Sequence, residues 1–212
     1  MKNLNVQEFF DTATCTLTYV VYDSETRDAV VIDPVWDYDF ASSELSFGSI
    51  HRVKDFLLLK KLHLHFILET HAHADHLSGS RGLQELFPGA KVGIGRGIQK
   101  VQNTFKKIFN LGPTFATDGS QFDFLLDEDQ KIRAGSLEIV TFFTPGHTPA
   151  CVSYLVGDSL FAGDTLFIPD YGTGRCDFPE GSPDALFESI QKIYRLQDDT
   201  QIFVGHDYQP HG

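Results

Sequence analysis

The chain has 212 residues, 42% hydrophobic and 22% charged, which suits one globular domain with a substantial core. A formal net charge of −12 weighs against a protein that clings to nucleic acid or to an anionic membrane. No apolar run is long enough to cross a bilayer, the first residues lack the apolar stretch of a signal peptide, and three cysteines without paired spacing fit a reducing compartment. The expected location is therefore the cytoplasm.

In chain order, residues 15–22 are rich in β-branched and aromatic side chains and predict a strand. Asp23-Ser24-Glu25-Thr26 turns, and 28–34 returns as a second strand that Pro34 ends, because proline cannot donate to a ladder. Residues 36–49 are polar and aromatic without a clear period and read as a loop or insertion. Ile50, Val53, Phe56 and Leu57 recur at helical spacing, so 50–62 predicts a helix, and 65–70 is a short apolar strand. A helix follows from about Ser78 or Ser80 and closes at Pro88-Gly89. Residues 91–94 predict a strand, and Ile98, Val101, Phe105, Ile108 and Phe109 a helix whose lysine face is solvated. Hairpins are expected around Ala134-Gly135-Ser136 and Gly157-Asp158, then a helix over 183–196 with proline in its first turn, then a last strand over 201–204. This order predicts an α+β domain of two sheets packed between helices.

One loop stands out. Thr70-His71-Ala72-His73-Ala74-Asp75-His76 leaves the 65–70 strand with four side chains able to bind metal. Alternation puts His71 and His73 on one side of an extended segment, while Asp75 and His76 follow at a turn and face a neighbouring position. Neutral imidazoles and a carboxylate suit zinc, iron, manganese or nickel. Three later strands end in Gly146-His147, Gly163-Asp164 and Gly205-His206. Glycine permits a sharp turn and a close approach of neighbouring loops, so the three ends and the first cluster point to one convergent metal site.

The set His71-x-His73-x-Asp75-His76, His147, Asp164 and His206 resembles the signature of the metallo-β-lactamase superfamily. That resemblance implies a four-layer αββα sandwich over a single 1–212 domain. For two-metal members it implies His71, His73 and His147 around one ion, Asp75, His76 and His206 around the other, and Asp164 between them. Residues 144–151, the run 171–178, in which Gly174-Arg175 is followed by Asp177-Phe178, and His206-Asp207-Tyr208 are similar to the persulfide dioxygenases, sulfur-oxidising relatives of glyoxalase II. This narrower resemblance implies one Fe(II) held by His71, His147 and Asp164, and oxidation of glutathione persulfide by O2 to sulfite and glutathione. Two histidines and a carboxylate are also, on chemical grounds, the facial triad of non-haem iron oxygenases. His73, Asp75, His76 and His206 then serve as supporting residues, with Asp75 and Tyr208 acting beside the metal. Tyr208 and Arg175 are expected to contact substrate, Arg175 through a glutathione carboxylate or else as the ion-pair partner of Asp177.

The competing readings are a glyoxalase II-type thioester hydrolase with two Zn2+ and a non-catalytic metal- or persulfide-binding module. A rhodanese-type sulfur-transfer partner and a homodimer are expectations from family habit. Resembling proteins continue past the position of Gly212 with a helical segment that contacts glutathione, so weaker substrate binding is expected of this chain. Cys15 and Cys151 read as core, and Cys176 sits beside Arg175, a setting that lowers a thiol's pKa.

Overall fold

The computed structural model describes residues 3–209. β1 (Leu4–Asp11) and β3 (Asp28–Ile32) each pair antiparallel with β2 (Thr16–Asp23), which lies between them. β4 (Val35–Asp39) and β5 (Glu44–Ser46) follow as a hairpin, then α1 (Gly48–Lys60), β6 (His63–Glu69), β7 (Leu77–Ser78) and α2 (Ser80–Leu86). β8 (Lys91–Gly95), α3 (Ile98–Ile108) and β9 (Phe124–Leu126) complete the first half. The second half holds β10 (Lys131–Ala134), β11 (Leu137–Phe143), β12 (Val152–Val156), β13 (Ser159–Gly163), α4 (Pro183–Ile193) and β14 (Gln201–Val204).

The large sheets have the orders β1-β2-β3-β6-β8-β9 and β10-β11-β12-β13-β14, and a small third sheet is β5-β4-β7. Alternation along the strands builds two cores. Leu17, Tyr19, Val21, Val30 and Ile32 face the second sheet and meet Ile139, Tyr154, Phe161 and Val204. Val20, Ala29 and Val31 face the other way, onto Ile50, Val53 and Leu57 of α1 and Leu83 of α2. On the far side, α4 lies against the end of β11: Ser189 donates to the Pro145 carbonyl at 2.7 Å, and Lys192 stands over the Phe142 ring. The layers are thus helix, sheet, sheet, helix. Tyr19 contacts Phe161 and Phe203 between the sheets, with ring centroids 5.2 and 5.4 Å away. Burying Phe161 contributes about 2–3 kcal/mol. The Tyr19 hydroxyl reaches the Val204 carbonyl at 2.7 Å, so its burial leaves no polar atom unpaired.

Residues 36–49 are not a loop, and this corrects the sequence reading. Trp36 and Tyr38 alternate with Asp37 and Asp39, a period of two, and Asp39 accepts from the backbone N–H groups of Ala41 and Ser42 to form the turn. β1 and the three-residue β9 also had no sequence counterpart. β1 is an edge strand whose apolar positions are only half buried, so its alternation is weak. α4 starts as its sequence demands: Ser182 caps the Ala185 N–H, Pro183 opens the first turn and Asp184 faces the positive helix end. No helix among the described residues is long and apolar enough to cross a membrane.

Candidate metal centre

β6, β11, β13 and β14 each deliver a functional side chain within four residues of their last, and the four ends converge. His71 Nε2 and His147 Nε2 lie 3.8 and 3.6 Å from Asp164 Oδ2. The three are buried and offer ligand atoms within 4.8 Å of one another. The other oxygen, Asp164 Oδ1, is 3.5 Å from His206 Nε2, which is 3.3 Å from Asp75 Oδ2. His73, Asp75 and His76 make a second group at the same spacing. Asp164 therefore turns one oxygen to the His71–His147 pair and the other to His206.

Each imidazole of the first group is anchored through one nitrogen, leaving the other free. His147 Nδ1 donates to the Arg175 carbonyl at 2.6 Å. His71 Nδ1 donates to Thr70 Oγ1 at 2.9 Å, and that hydroxyl donates to Asp33 Oδ2 at 2.7 Å. With the proton held at Nδ1, the Nε2 lone pair faces the centre. His73 is reversed: its Nε2 is held by Glu69 at 3.1 Å and Asp33 at 3.3 Å.

Three buried atoms here have no hydrogen-bond partner: His73 Nδ1, His76 Nε2 and Asp164 Oδ1. An orphaned polar atom costs about 1–3 kcal/mol, which a cation at the centre would relieve. Burial, reinforced by neighbouring imidazoles, holds His71 well below its ordinary pKa and brings His76 to about 3. Both are therefore neutral, as ligation requires. Burial pushes the Asp164 carboxyl up, the state of a carboxylate short of positive charge. Donor types, free lone pairs and electrostatics all fit a bound metal ion.

Asp33, Glu69 and Thr70 are functional neighbours that the sequence reading missed. Burial opposes charge on His73, but Asp33 and Glu69 outweigh it and hold the imidazole above its ordinary value. Ser78 and Ser80 donate to Glu69 in turn. The available signal was a carboxylate at the end of each of two apolar strands, Val30-Val31-Ile32-Asp33 and Phe66-Ile67-Leu68-Glu69, where only a partnered acid survives.

Tyr208 stacks on His206 with ring centroids 5.3 Å apart and planes within 5°. Burial, aided by Asp164 and Asp75, pushes its phenol up to about 12, so it is a hydrogen-bond donor at neutral pH. Asp75 is exposed. The Arg175 guanidinium forks onto Asp177, with both contacts at 2.5 Å, and lies over Phe178. The Phe178 ring stands edge-on to His147 with centroids 5.1 Å apart. A Cβ on Gly174 would come within 2.2 Å of the Asp164 carbonyl and 3.2 Å of His147 Nδ1, so the 173–178 run passes this close only as glycine. A cavity of about 770 Å3 lies between the β4–β5 hairpin and the 73–77 loop.

Cys151 is buried, and burial pushes its thiol up to about 12. Cys15 is half-buried at a positive φ of 58° rather than in the core, and Cys176 is half-buried too. Native-state alkylation followed by peptide mass spectrometry is expected to label Cys15 and Cys176 and to spare Cys151. Labelling of Cys151 at the rate of the other two would contradict its burial.

The metallo-beta-lactamase superfamily pattern matches residues 14–206. The chain is 43% identical to "Glyoxylase B2" of Dictyostelium discoideum over 97% of its own length and 70% of that protein. It is 34% identical to the human mitochondrial "Persulfide dioxygenase ETHE1" over 96% of this chain and 68% of that one. The crystal structure of ETHE1 from Myxococcus xanthus superposes with a TM-score of 0.74 at 30% identity, covering 97% of this chain and 77% of that one. With its sandwich of two sheets and its converging histidines and aspartates, the chain belongs to the metallo-β-lactamase superfamily of metal-dependent enzymes.

Proposed function

We propose that the chain is an iron(II) persulfide dioxygenase, converting a thiol persulfide, dioxygen and water into the thiol, sulfite and two protons. The observation that carries this reading is the buried group of His71, His147 and Asp164, a two-histidine, one-carboxylate face. It is supported by the 171–178 run, the stretch similar to persulfide dioxygenases, which is bound to His147 through the Arg175 carbonyl and the Phe178 ring. These three residues would hold iron(II), which would supply the one-electron chemistry that dioxygen requires. The chain's own groups do the rest. Thr70 with Asp33, and the Arg175 carbonyl, keep the two rings oriented. The neutral phenol of Tyr208 can donate a hydrogen bond to substrate beside His206. The exposed Asp75 carboxylate, 3.3 Å from His206 Nε2, can pass a released proton to solvent.

A zinc-dependent thioester hydrolase is the second reading. It is favoured by the further group His73, Asp75 and His76, in which the neutral His76 has its Nε2 unpartnered, and by the glyoxylase relative. The deciding experiment is metal analysis of anaerobically purified protein, with oxygen uptake on glutathione persulfide and hydrolysis of S-lactoylglutathione measured side by side. About one iron per chain with persulfide-dependent oxygen uptake is expected. Two zinc ions, thioester hydrolysis and no oxygen uptake would transfer the assignment to the hydrolase.

A further inference from the structure

The opposite end of β6 carries metal donors that the centre described above does not use. Asp28, His63 and His65 offer one carboxylate oxygen and two imidazole nitrogens within 4.8 Å of one another. Asp28 opens β3, and His63 opens β6 directly beside it in the parallel pair. β6 is seven residues long, so about 20 Å of extended chain separates this cluster from the 71–76 loop.

The register of the two strands brings the donors to one side. Ala29 pairs with Leu64 but Val30 with Phe66, which makes His65 an extra residue, a β-bulge. Bulges re-aim side chains. Leu64 and Ile67 pack toward α1 and α2, Phe66 and Leu68 toward the second sheet. His65 joins Phe66 on the second-sheet side, where its Nε2 donates to Asp28 Oδ1 at 2.6 Å. The other oxygen, Oδ2, accepts from the Ser136 N–H at 2.9 Å in the β10–β11 turn. Gly135 at φ 59° permits that approach, because a Cβ there would collide with the carboxylate. Burial opposes charge on Asp28, but the bonds from Ser136 and His65 outweigh it and bring the carboxyl to about 2. The acid is therefore fixed in place and ionised. Its bond to His65 engages only two of the three donors. His63 is exposed, its ring lies 4.2 Å from that of His65 between centroids, and among the described residues neither of its ring nitrogens has a hydrogen-bond partner.

We propose that Asp28, His63 and His65 form a separate zinc site, with water in the fourth position. Two imidazoles and a carboxylate are a familiar zinc donor set, and the ion takes the place of the proton between His65 Nε2 and Asp28. Bound there, zinc ties the start of β3 to that of β6 and, through Ser136, to the turn of the second sheet. It acts as a structural clamp whichever reaction the catalytic centre performs.

The test compares wild type, loaded with its catalytic metal, with a His63→Ala/His65→Ala variant after dialysis against buffered micromolar zinc. Wild type is expected to hold about one zinc per chain more. Zinc that enters the 71–76 region is common to both proteins and cancels. His63→Ala alone keeps the Asp28–His65 pair, and with it the fold, and is expected to weaken the extra zinc at least about tenfold. Saturating zinc should raise the melting temperature of wild type by about 5 °C more than that of His63→Ala. It should also slow diethyl pyrocarbonate modification of His63 about tenfold while leaving His51, exposed on α1, unchanged. Equal zinc uptake by wild type and the double variant, or no protection of His63 beyond that of His51, overturns the inference.

Discussion

Asp164→Ala is expected to empty the centre: iron per chain after anaerobic purification should fall below about a tenth of wild type, and kcat by on the order of a thousandfold, equivalent to several kcal/mol. The carboxylate is buried, and its two oxygens face His71 and His147 on one side and His206 on the other. Alanine there leaves His71 and His147 with no carboxylate within reach of their free Nε2 atoms, so the attraction that retains a cation is lost with the ligand. Metal analysis and circular dichroism on one preparation provide the check, and a folded variant with full metal would refute the role given to Asp164. His206→Ala is the informative companion. If only the first group holds metal, that variant keeps its iron, whereas a two-metal hydrolase loses part of its zinc.

The second large effect is expected at Asp33, which lies outside the His71–His147–Asp164 group. Its carboxylate accepts from the Thr70 N–H at 2.7 Å, from the Thr70 hydroxyl at 2.7 Å and from His73 Nε2 at 3.3 Å. It does so from a backbone at φ 48°, a region that Asp tolerates better than Ala. Asp33→Ala breaks a buried charge pair and strands its donors, which costs about 3–5 kcal/mol. For a domain of this size that corresponds to a fall in melting temperature of about 6–20 °C. The ring of His71, oriented by Thr70, loses its anchor as well, and metal affinity should drop about 10–100-fold. Asp33→Asn keeps the backbone tolerance and one acceptor oxygen and should lie between the two. Thermal melts of metal-free and metal-loaded protein measure both parts. A melting point within a degree of wild type for Asp33→Ala would show that the network does not hold the loop.

Much of this was legible in the chain. The glycine-ligand pairs at 146–147, 163–164 and 205–206 announce strand ends, and strand ends that carry ligands must meet if they share an ion. Long β-branched runs such as 15–22 and 137–143 declared themselves by composition. What stayed hidden had little local signal. β1 gains its structure from pairing with β2 along its whole length, and β9 from a place at the end of a parallel ladder. The alternation in 35–39 was masked because aspartates occupy one face and large aromatics the other, a pattern that also suits a loop. Asp33 and Glu69 looked like ordinary acids at strand ends; only the fold reveals that both are buried and share His73. The pairing of Arg175 with Asp177 was one of two open alternatives, and close packing of 173–178 on His147 is what makes that run part of the centre.

The last ligand is tied to the start of the chain. His206 bridges to Thr16, the Leu17 N–H donates to the Gly205 carbonyl at 2.9 Å, and the Asp207 N–H to the Cys15 carbonyl at 3.0 Å. Thr16 and His206 are 190 positions apart. At a synthesis rate of about 5–20 residues per second, Thr16 waits about 10–40 s for its partner. A fold that closes on contacts of such long range also forms slowly. On the ribosome, therefore, β2 is present with the histidines of the 71–76 loop long before Asp164 and His206 arrive. Metal loading of the finished centre therefore waits for His206, and the cell's iron or zinc supply acts on a chain in which both sheets have already been made.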